Sequence, residues 1–582
     1  MLETIDLSGP WKFSPDPFNN GEPAKYFAED HDTSGWIDTE VPTCFDTILP
    51  DLWGYEGWGW FTRTVIVPDN WKGRRIILRF EAVNYHARVW LNGVLIGENV
   101  DGFLPFEFPV HKHLRHNESN VLTVLVDNCR KQGEVPGFET GWRPFGGILR
   151  KIYLISSDHL RIDNVVLHAE PSKAGGRLSV QAQVTNDRPK TLQPTIVVTI
   201  TDRDDRVIGR LQSQTVNVDC ESSATYTSEE TISNAKSWSP DTPNLYTAHI
   251  ELTLGDTLVD TLDLRFGFRR IETDGTKLLL NGRPLFLTGF NRHEDSPTAN
   301  MCTDTETARK DFLAMKNAGA NFVRLAHYPH SSEELDLCDE LGLLVMDEIP
   351  LYWWCWDENE KELCTVKLET AKRQLQRMIE RDRNHPSVIF WSVSNENNED
   401  VPEVCRGNEE LIRFARSLDS SRLAVHVSFH WYMRHSFAED DVICLNAYPS
   451  WEHGYMERKP NYDLAQSKRF WEEKLENLHN LYPDKPILIA EFGFQSIEGV
   501  SDGPLGTNTH ADVLAAEFSA FTADYLCGAT VWCWADHPWP EIRGTSARLH
   551  TSPMGVVTRD RHPLPAFEKM KTLFRERRSG RP

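Results

Sequence analysis

The 582-residue chain lacks the features of several protein classes. It contains no run that approaches the roughly 20 apolar residues of a membrane-spanning helix. Its formal net charge of -24 argues against a nucleic-acid or anionic-membrane partner, because both select a basic surface. The N-terminal stretch MLETIDLSGPWKF has neither the basic nor the apolar region of a secretory signal, so we expect a cytoplasmic location.

Cysteine patterns typical of metal sites are also missing. The eleven cysteines form no Cys-x-x-Cys pair and no Cys/His cluster at zinc spacing, so we expect reduced thiols packed in cores and no zinc site. Tryptophan, in contrast, is abundant, with 19 residues. Most of them should be core residues, but flat amphipathic rings also suit stacking on the faces of sugars.

The first part of the chain has the pattern of β structure. Over residues 1–157, strand-like runs such as RRIILRFEAV and HARVWLNGVLIG are separated by Asn-Gly, Pro and Gly turns, which predicts a β-sandwich or jelly roll. Residues 158–270 contain a second set of such runs, including RLSVQAQVTN and LYTAHIELTLG. The second set has the length of an immunoglobulin-like β-sandwich.

The pattern changes over residues 271–582, where short apolar strands alternate with helical stretches. TETARKDFLAMKNAG, for example, has apolar residues at the helical period and a glycine at its end. Eight alternations predict a (β/α)8 barrel, and the chain as a whole is therefore predicted to be multidomain, β followed by α/β. The predicted barrel strands are 286–291, 321–328, 343–349, 387–396, 423–429, 442–448, 486–493 and 529–536.

Two glutamates stand at the ends of predicted barrel strands, where barrel enzymes build their active sites. Glu396 ends the fourth strand, in FWSVSNE, and Glu491 ends the seventh, in ILIAEF. Across a closed ring these ends face each other, and two carboxyls about 5–5.5 Å apart can cleave a glycosidic bond with retention. Other strand-end acids compete for this role, although most suit pairing with an arginine or helix capping. They are Glu294, Asp295, Asp347, Glu348 and Asp536.

The order of these motifs resembles glycoside hydrolase family 2, the family of β-galactosidases, β-glucuronidases and β-mannosidases. The resemblance covers essentially the whole chain and implies a jelly-roll sugar-binding domain, an immunoglobulin-like sandwich and a catalytic barrel. It implies Glu396 as the acid/base and Glu491 as the nucleophile. The further matching motifs are PFGGILR (144–150), GFNRHED (289–295), RLAHYP (324–329) and VMDE (345–348).

The same resemblance implies substrate contacts by five other residues. Asn395 is placed to hydrogen-bond the sugar 2-hydroxyl. Tyr448 resembles the tyrosine that orients the nucleophile, with a structural aromatic of the barrel as its alternative. His327 and Trp532 match positions that line the sugar subsite, and His293 fits either a sugar contact or a structural role.

The charge of the acid/base residue can also be predicted. Burial and the negative charge of Glu491 should hold Glu396 protonated near neutral pH. Once Glu491 is esterified by the sugar its charge disappears, so the pKa of Glu396 should fall and the residue can act as a base.

Departures from the family pattern bear on which sugar is bound. β-Glucuronidases resemble this chain most in length, but they bind the substrate carboxylate with an Asn-x-Lys where this chain has Ser552-Pro553-Met554. A neutral thioether cannot replace an ammonium group in such a contact. The aspartate that β-glucuronidases carry before the GGILR turn is missing as well. Arg143, Arg543 or Arg548 could supply a replacement cation.

We therefore expect an exo-acting retaining β-glycosidase, first of all a β-galactosidase-type enzyme for a neutral sugar. A β-glucuronidase- or β-galacturonidase-type enzyme with a different carboxylate clamp is the alternative. A non-catalytic carbohydrate-binding protein is a further alternative, from another functional class.

No cofactor is expected, because IPLYWWCWDEN lacks the Glu-x-His magnesium ligands of the large β-galactosidases. Its aromatic cluster, Tyr352 to Trp356, suits either stacking on an aglycone or packing of the loop. A homo-oligomer is an expectation by analogy.

Overall fold

The computed structural model describes residues 2–138, 140–356, 364–430, 436–450, 464–539 and 551–580. The N-terminal part is a β-sandwich whose strands alternate between the core and the outside. In Gly9–Asp16, for example, Trp11 and Phe13 are buried while Lys12 between them is partly exposed. A four-stranded sheet (β1-β13-β6-β10) and a six-stranded sheet (β3-β2-β5-β11-β8-β9) enclose a common core, and β4-β12-β7 form a small third sheet.

The bounds of these elements are as follows. The strands are β1 (Glu3–Asp6), β2 (Gly9–Asp16), β3 (Ile37–Val41), β4 (Thr43–Cys44), β5 (Trp58–Ile66), β6 (Arg75–Phe80), β7 (Val83–Asn84), β8 (His86–Leu91), β9 (Val94–Val100), β10 (Phe106–Pro109), β11 (Ser119–Asp127), β12 (Gly147–Ile148) and β13 (Ile152–Ser157). The helices are α1 (Phe45–Ile48) and the 3₁₀ segments Pro50–Leu52 and Asp69–Trp71.

The second part is another β-sandwich. A three-stranded sheet (β14-β15-β19) packs against a sheet of order β17-β16-β20-β21, in which β18 also pairs with β16. In β16 the residues Ile196, Val198 and Ile200 face the core. The strands are β14 (Leu160–Ser172), β15 (Gly175–Asn186), β16 (Thr195–Thr201), β17 (Val207–Arg210), β18 (Gln214–Thr215), β19 (Ser222–Ser233), β20 (Tyr246–Leu254) and β21 (Thr257–Phe266).

A closed barrel of eight parallel strands forms the third part, so the predicted fold class is confirmed. A small sheet, β22 (Ile271–Asp274), β23 (Lys277–Leu280) and β24 (Arg283–Pro284), precedes it and shares the apolar cluster that fills the barrel interior. The barrel strands are β25 (Leu287–Arg292), β26 (Phe322–Leu325), β27 (Leu344–Glu348), β28 (Val388–Asn395), β29 (Leu423–Ser428), β30 (Ile443–Asn446), β31 (Ile487–Phe492) and β32 (Leu526–Val531).

Helices pack around this barrel. They are α2 (Thr305–Asn317), α3 (Ser332–Leu341), α4 (Cys364–Asp382), α5 (Pro402–Leu418), α6 (Leu464–Leu481), α7 (Thr507–Phe518) and α8 (Pro565–Arg578). Two short strands, β33 (His537–Pro538) and β34 (Thr551–Ser552), pair with each other after the eighth barrel strand. Within the described ranges, no helix combines the length and the apolar character needed to cross a membrane.

The eighth strand differs from its predicted position. It spans Leu526–Val531 rather than 529–536, because Leu526 pairs with Ile487 of β31 and Gly528 pairs with Leu287 of β25. Trp532 therefore lies just past the strand, and Asp536 lies five residues past it instead of at its end.

Two buried arginines join the β-sandwiches to the barrel. Arg150 of the PFGGILR motif contacts Glu294 at 2.6 Å and donates to the Pro329 carbonyl at 2.9 Å. Arg269 of the second sandwich donates to the Val388 carbonyl at the start of β28, at 2.8 Å. Because these donors are buried with their acceptors, each sandwich is held against the barrel by contacts that exclude water.

Candidate active site

Glu396 directly follows the last residue of β28 in a left-handed backbone conformation. Its φ is +50°, which is uncommon for a residue with a side chain and persists where the surroundings hold the backbone. Its N–H donates to the Val427 carbonyl of β29 at 2.8 Å. The carboxylate accepts from Trp353 Nε1 and from Asn446 Nδ2, both at 2.9 Å. Two neutral donors therefore hold this half-buried carboxylate at the barrel mouth.

Glu491 lies in β31, one residue before the strand ends, and is 3% exposed. Its Oε1 accepts from Arg324 Nη1 at 2.5 Å, and its Oε2 accepts the Tyr448 hydroxyl. Gly493 follows, and a Cβ there would lie 2.2 Å from the Trp532 carbonyl oxygen. Only a residue without a side chain lets the ends of β31 and β32 approach this closely, which brings Trp532 next to the strand end that carries Glu491.

A chain of hydrogen bonds joins the two strand ends. Arg324 Nη2 donates to Asn395 Oδ1 at 2.8 Å, and Asn446 Nδ2 donates to the same oxygen at 3.2 Å and to Glu396 at 2.9 Å. Through Arg324 the chain continues to Glu491. Asn395 Nδ2 has no hydrogen-bond partner among the described residues, which is the state expected of a donor reserved for a ligand.

Arg324 is also the centre of a buried ion pair with Glu348. Both side chains are inaccessible to solvent, and Arg324 Nη2 lies 2.7 Å from Glu348 Oε2. His327 Nδ1 and Ser392 Oγ contact the same carboxylate at 2.9 Å and 2.6 Å. Burial alone would raise the pKa of Glu348, but Arg324 and His327 outweigh it and the pKa is lowered. Glu348 is therefore ionised, and the guanidinium is shared between two carboxylates.

The protonation of the Glu396–Glu491 pair follows from its surroundings. Burial is the largest cause and raises the pKa of Glu491 to about 8, and the negative charge of Glu396 adds to the rise. Arg324 and the Tyr448 hydroxyl act in the opposite direction. The site therefore holds a proton near neutral pH, which its surroundings favour on Glu491. The rise expected at Glu396 itself stays a prediction.

A buried histidine holds the loop that follows Glu396. His426 of β29 has Nδ1 2.9 Å from Asp440 Oδ1 and Nε2 3.3 Å from Glu399 Oε1. Burial would lower the pKa of His426, but the two carboxylates outweigh it and raise the pKa to about 10. On the other side of the loop, the Asn398 N–H donates to the Trp354 carbonyl at 2.9 Å. The loop is therefore fixed between β29 and the segment after β27.

His327 and His293 lie beside Glu491 with Trp532. The His327 ring stacks on Trp532 with centroids 5.0 Å apart, and its Nε2 is 3.9 Å from Glu491 Oε1. His293 Nδ1 lies 3.3 Å from the Tyr328 hydroxyl, and among the described residues Nε2 has no partner. Burial lowers the pKa of His327 to about 4 and that of His293 well below its usual value. Both rings are neutral at pH 7.

The first β-sandwich supplies part of the wall of this pocket. The Trp142 ring packs against His327 and Tyr352, with centroid distances of 5.9 Å and 5.3 Å. The neighbouring Gly141 comes so close to Tyr352 that a Cβ on it would lie 2.7 Å from the hydroxyl oxygen. The segment GWRPFGG thus brings a tryptophan from the first sandwich to the barrel mouth.

The candidate replacement cations are not brought to the pocket by any described contact. Arg143 Nη2 lies 3.0 Å from Asp46 Oδ1, and its guanidinium stacks 4.6 Å over the Trp53 ring. Arg143 is therefore bound within the first sandwich. Arg543 and Arg548 fall outside the described residues.

Met554 occupies an apolar position next to the pocket. It is 7% exposed and packs with Ala326, Trp532 and Cys533, with Tyr448 at the edge of the group. Its thioether therefore extends the apolar surface beside Trp532.

Four of the five other strand-end acids have ion-pair or hydrogen-bond partners. The fifth, Asp347, is buried, and burial together with the nearby Asp382 raises its pKa well above the usual value, which favours its neutral form. The remaining contacts are Glu294 with Arg150 (2.6 Å), Asp295 with Arg559 (3.4 Å), Glu348 with Arg324 (2.7 Å) and Asp536 with the Gly555 N–H (2.8 Å). The three arginine contacts agree with the pairing role expected from the sequence.

The aromatic cluster after β27 divides into two groups. Trp354 is buried in the core between the barrel and its helices. Tyr352 and Trp353 stack on each other at 4.7 Å, and Trp353 donates to Glu396. Trp356 is 44% exposed and donates through Nε1 to the Glu396 carbonyl at 2.8 Å. Tyr352, Trp353 and Trp356 therefore lie at the barrel mouth, and Trp354 lies in the core.

One group of acidic and histidine side chains in the described part of the chain has the spacing of a metal site. Ligand atoms of Asp336, Asp339 and His385 lie within 4.8 Å of one another. However, the Asp339 carboxylate already accepts the Ser387 N–H and contacts His385, and Asp336 lies 2.5 Å from Arg265. These contacts describe an ion-pair network, and the absence of a cofactor stays a prediction.

Sequence reasoning missed the residues that link the predicted ones. Arg324 lies in the quoted RLAHYP motif, and an arginine inside a buried strand signals carboxylate partners. Asn446 is likewise a polar residue at the end of the apolar run VICLN. Trp142 gave no such signal, because its neighbours on the barrel are about 150 or more residues away in sequence.

A parallel barrel with two linked carboxyl groups at its mouth, preceded by two β-sandwiches, is the arrangement of a glycoside hydrolase. The chain belongs to glycosyl hydrolases family 2. Residues 5–157 match the sugar-binding domain of that family, residues 160–269 match the model described simply as glycosyl hydrolases family 2, and residues 271–577 match the TIM barrel domain. The resemblance found in the motifs is confirmed, and the protein is an O-glycoside hydrolase.

Individual relatives are similar over 90% or more of their length. The β-glucuronidase of Paenibacillus borealis is 29% identical, with 99% of this chain and 97% of that one covered. The β-glucuronidase of Rattus norvegicus is 27% identical, with 98% and 90% covered. The solved β-D-glucuronidase structure from Dictyoglomus thermophilum is 26% identical with a TM-score of 0.85, covering 99% of this chain and 97% of that chain.

Proposed function

We propose that the protein is an exo-acting, retaining β-glycosidase that hydrolyses terminal β-uronides, with β-D-glucuronides first. The observation that carries this proposal is the likeness to β-glucuronidases over nearly the whole of both chains. It favours the alternative of the sequence analysis over the β-galactosidase-type activity named first there. Family membership argues against the non-catalytic carbohydrate-binding protein.

The proposed reaction has two steps. In the first, ionised Glu491 attacks the anomeric carbon while Glu396 gives its proton to the leaving oxygen, which breaks the glycosidic bond. In the second, Glu396 takes a proton from water, whose oxygen attacks the same carbon and releases Glu491. Arg324 and Tyr448 support this assignment of roles, because both stabilise the ionised form of Glu491.

The neighbouring residues have roles that follow from their free polar atoms. Asn395 Nδ2 donates to the sugar 2-hydroxyl, a bond that strengthens as charge develops at the anomeric centre. His293 Nε2 and the His327 ring offer neutral hydrogen-bonding atoms to other hydroxyls. Trp532 and Met554 provide the apolar side of the subsite.

A neutral sugar remains the second candidate because of one observation. Met554 and the two neutral histidines place no cation beside Trp532, whereas a uronate carboxylate requires charge-assisted partners. If uronides are the substrates, Arg543 and Arg548 are the sequence-based candidates for binding that carboxylate.

A panel of nitrophenyl glycosides separates the candidates. The panel contains the β-glucuronide, β-galacturonide, β-galactoside, β-mannoside and α-L-arabinoside, each assayed with the wild type and with Glu491→Gln. We expect the highest kcat/KM for a uronide, with the activity absent from the variant. A preference for the β-galactoside would overturn the uronide proposal and leave the reaction mechanism standing. Turnover that persists in Glu491→Gln would overturn the mechanism.

Two further expectations from the sequence stay predictions. They are a cytoplasmic location and a homo-oligomeric state. Sedimentation velocity of the purified protein tests the second.

A further inference from the structure

Trp356 forms an exposed aromatic surface next to Glu396. Its ring stacks on Phe429 with centroids 5.4 Å apart and on His430 at 6.2 Å, each with an interplanar angle of 22°. Phe429 and His430 directly follow β29, the barrel strand beside β28. Trp356 is nevertheless 44% exposed, whereas the other aromatic residues of its cluster, Tyr352 to Trp354, are buried or half-buried. We call the Trp356, Phe429 and His430 rings the aromatic platform.

The platform is held rigidly beside the proposed acid/base residue. Trp356 Nε1 donates to the Glu396 carbonyl at 2.8 Å, and the Glu396 N–H is bound to Val427 two residues before Phe429. Both sides of the platform are therefore attached to the backbone around Glu396. A general acid must lie within about 2.6–3.2 Å of the oxygen that it protonates, so the leaving group begins at the Glu396 carboxyl.

Its chemistry suits a flat apolar group better than a second sugar. The indole N–H is already used by the Glu396 carbonyl, the Phe429 ring has no hydrogen-bonding atom, and the third ring, His430, is only 2% exposed. A sugar placed there would lose water from its hydroxyls with no partner from these two rings, which is costly. An aryl group loses no hydrogen bonds and gains offset or parallel ring contacts.

We propose that the aromatic platform is the subsite for the leaving group and that it selects planar aryl aglycones. The inference rests on the proposed function of Glu396 as the acid, and it does not depend on which sugar is bound. Trp356 then acts in the first step only, because the aglycone has left before water attacks.

The test compares two aryl leaving groups of similar acidity and different ring area with a leaving group that has no ring, and each value in a variant is divided by the wild-type value for the same glycoside. For the preferred sugar of the panel, kcat/KM is measured with 2-naphthyl, phenyl and methyl glycosides in the wild type, Trp356→Ala and Trp356→Phe. In Trp356→Ala we expect the naphthyl and phenyl values to fall about three- to tenfold, while the methyl value changes less than about twofold. Trp356→Phe keeps a ring and should retain most of the aryl preference. Phe18→Ala removes an aromatic residue that is 81% exposed in the first sandwich and should change nothing.

Other outcomes would overturn the inference. An equal fall for all three glycosides would mean that Trp356 acts only by holding Glu396. A loss confined to disaccharide substrates would mean that the occupant is a second sugar. Inhibition by the lactone of the preferred sugar tests the sugar side independently, and its Ki should be the same in the wild type and Trp356→Ala. If the wild type hydrolyses none of these glycosides, the proposed function itself fails.

Discussion

The two proposed catalytic carboxyls lie in different environments. The region around Glu491 is buried and ionic, with Arg324 shared between Glu491 and Glu348. The region around Glu396 is half-buried and aromatic, with Trp353 and Asn446 donating to the carboxylate and Trp356 donating to the backbone carbonyl. A nucleophile needs a stabilised anion, and an acid/base residue needs a group that can change its charge during the reaction. The difference between the regions therefore matches the difference between the two roles.

The contrast also separates the sugar side from the leaving-group side. His327, Trp532 and Met554 lie on the Glu491 side, where the contacts are close and the side chains are buried. The aromatic platform lies on the Glu396 side, and its Trp356 ring is open to solvent. A dry pocket with fixed polar atoms can discriminate among sugar hydroxyls, whereas an exposed ring surface accepts many flat groups.

The largest expected effect is the loss of the nucleophile. Glu491→Ala should lower kcat/KM at least about 10⁴-fold, because it removes the carboxylate proposed to attack the anomeric carbon. Added azide should restore turnover and give a glycosyl azide of inverted anomeric configuration, identified by NMR. Glu498→Ala changes an exposed acid nearby and should keep wild-type activity. Substantial activity of Glu491→Ala without azide would contradict the assignment.

Removal of the cation on the buried side should have the next largest effect. Arg324→Met leaves Glu348 and Glu491 without their partner, so we expect kcat to fall about 10²–10³-fold. Breaking a buried ion pair should also destabilise the barrel by about 3–5 kcal/mol. Steady-state kinetics and thermal unfolding measure the two effects. Glu348→Gln keeps the guanidinium at Glu491, and activity as low as that of Arg324→Met would show that fold stability alone explains the loss.

Neutralising the acid/base residue should alter the pH profile. In the wild type, kcat/KM should fall above about pH 8, since the proton held at Glu491 is lost there and none is left for the acid step. Glu396→Gln removes the negative charge that raises the pKa of Glu491, and dinitrophenyl glycosides need no acid. The alkaline fall should therefore be absent from this variant with that substrate. Methyl glycosides, which need the acid, should be slower by about 10²-fold. If kcat/KM of Glu396→Gln for the dinitrophenyl glycoside fell at alkaline pH as it does in the wild type, the charge of Glu396 would not control the proton at Glu491.

The smallest expected effect on activity is at the loop behind Glu396. His426→Gln removes the imidazolium between Asp440 and Glu399, which should destabilise the fold by about 3–5 kcal/mol and lower kcat only a few-fold. The folded pKa of about 10 exceeds the usual 6.5, so this stabilisation is complete below pH 6.5 and is lost as pH rises toward 10. Thermal unfolding of both proteins from pH 6 to pH 10 should show the difference shrinking. A constant difference would mean that His426 is neutral.

Much of the barrel could be predicted from the sequence because strand ends carry a local signal. Asn395, Glu396 and Glu491 interrupt apolar runs, and the ring closure places such ends on one rim. Strand β32 was harder, because TADYLCG continues a helical pattern and only pairing with β31 and β25 makes Leu526 the start of a strand. Tertiary contacts override local pattern in such cases.

The partners of these residues could not be predicted in the same way. Arg324 and Asn446 join strand ends that are far apart in the chain, so their roles depend on the closed barrel and not on spacing. Trp356 and Phe429 are even less visible, since a tryptophan after β27 and a phenylalanine after β29 meet only when the two strands that flank β28 end at the same rim.

Trp142 gives this enzyme a dependence on complete assembly. The ring that lines the catalytic cavity is synthesised long before the residues it touches, and it reaches them only when the first sandwich is seated on the finished barrel. An isolated barrel would open this cavity to bulk water on one flank. Turnover therefore reports the fully assembled chain. During renaturation, activity should return only after the first sandwich has packed against the barrel.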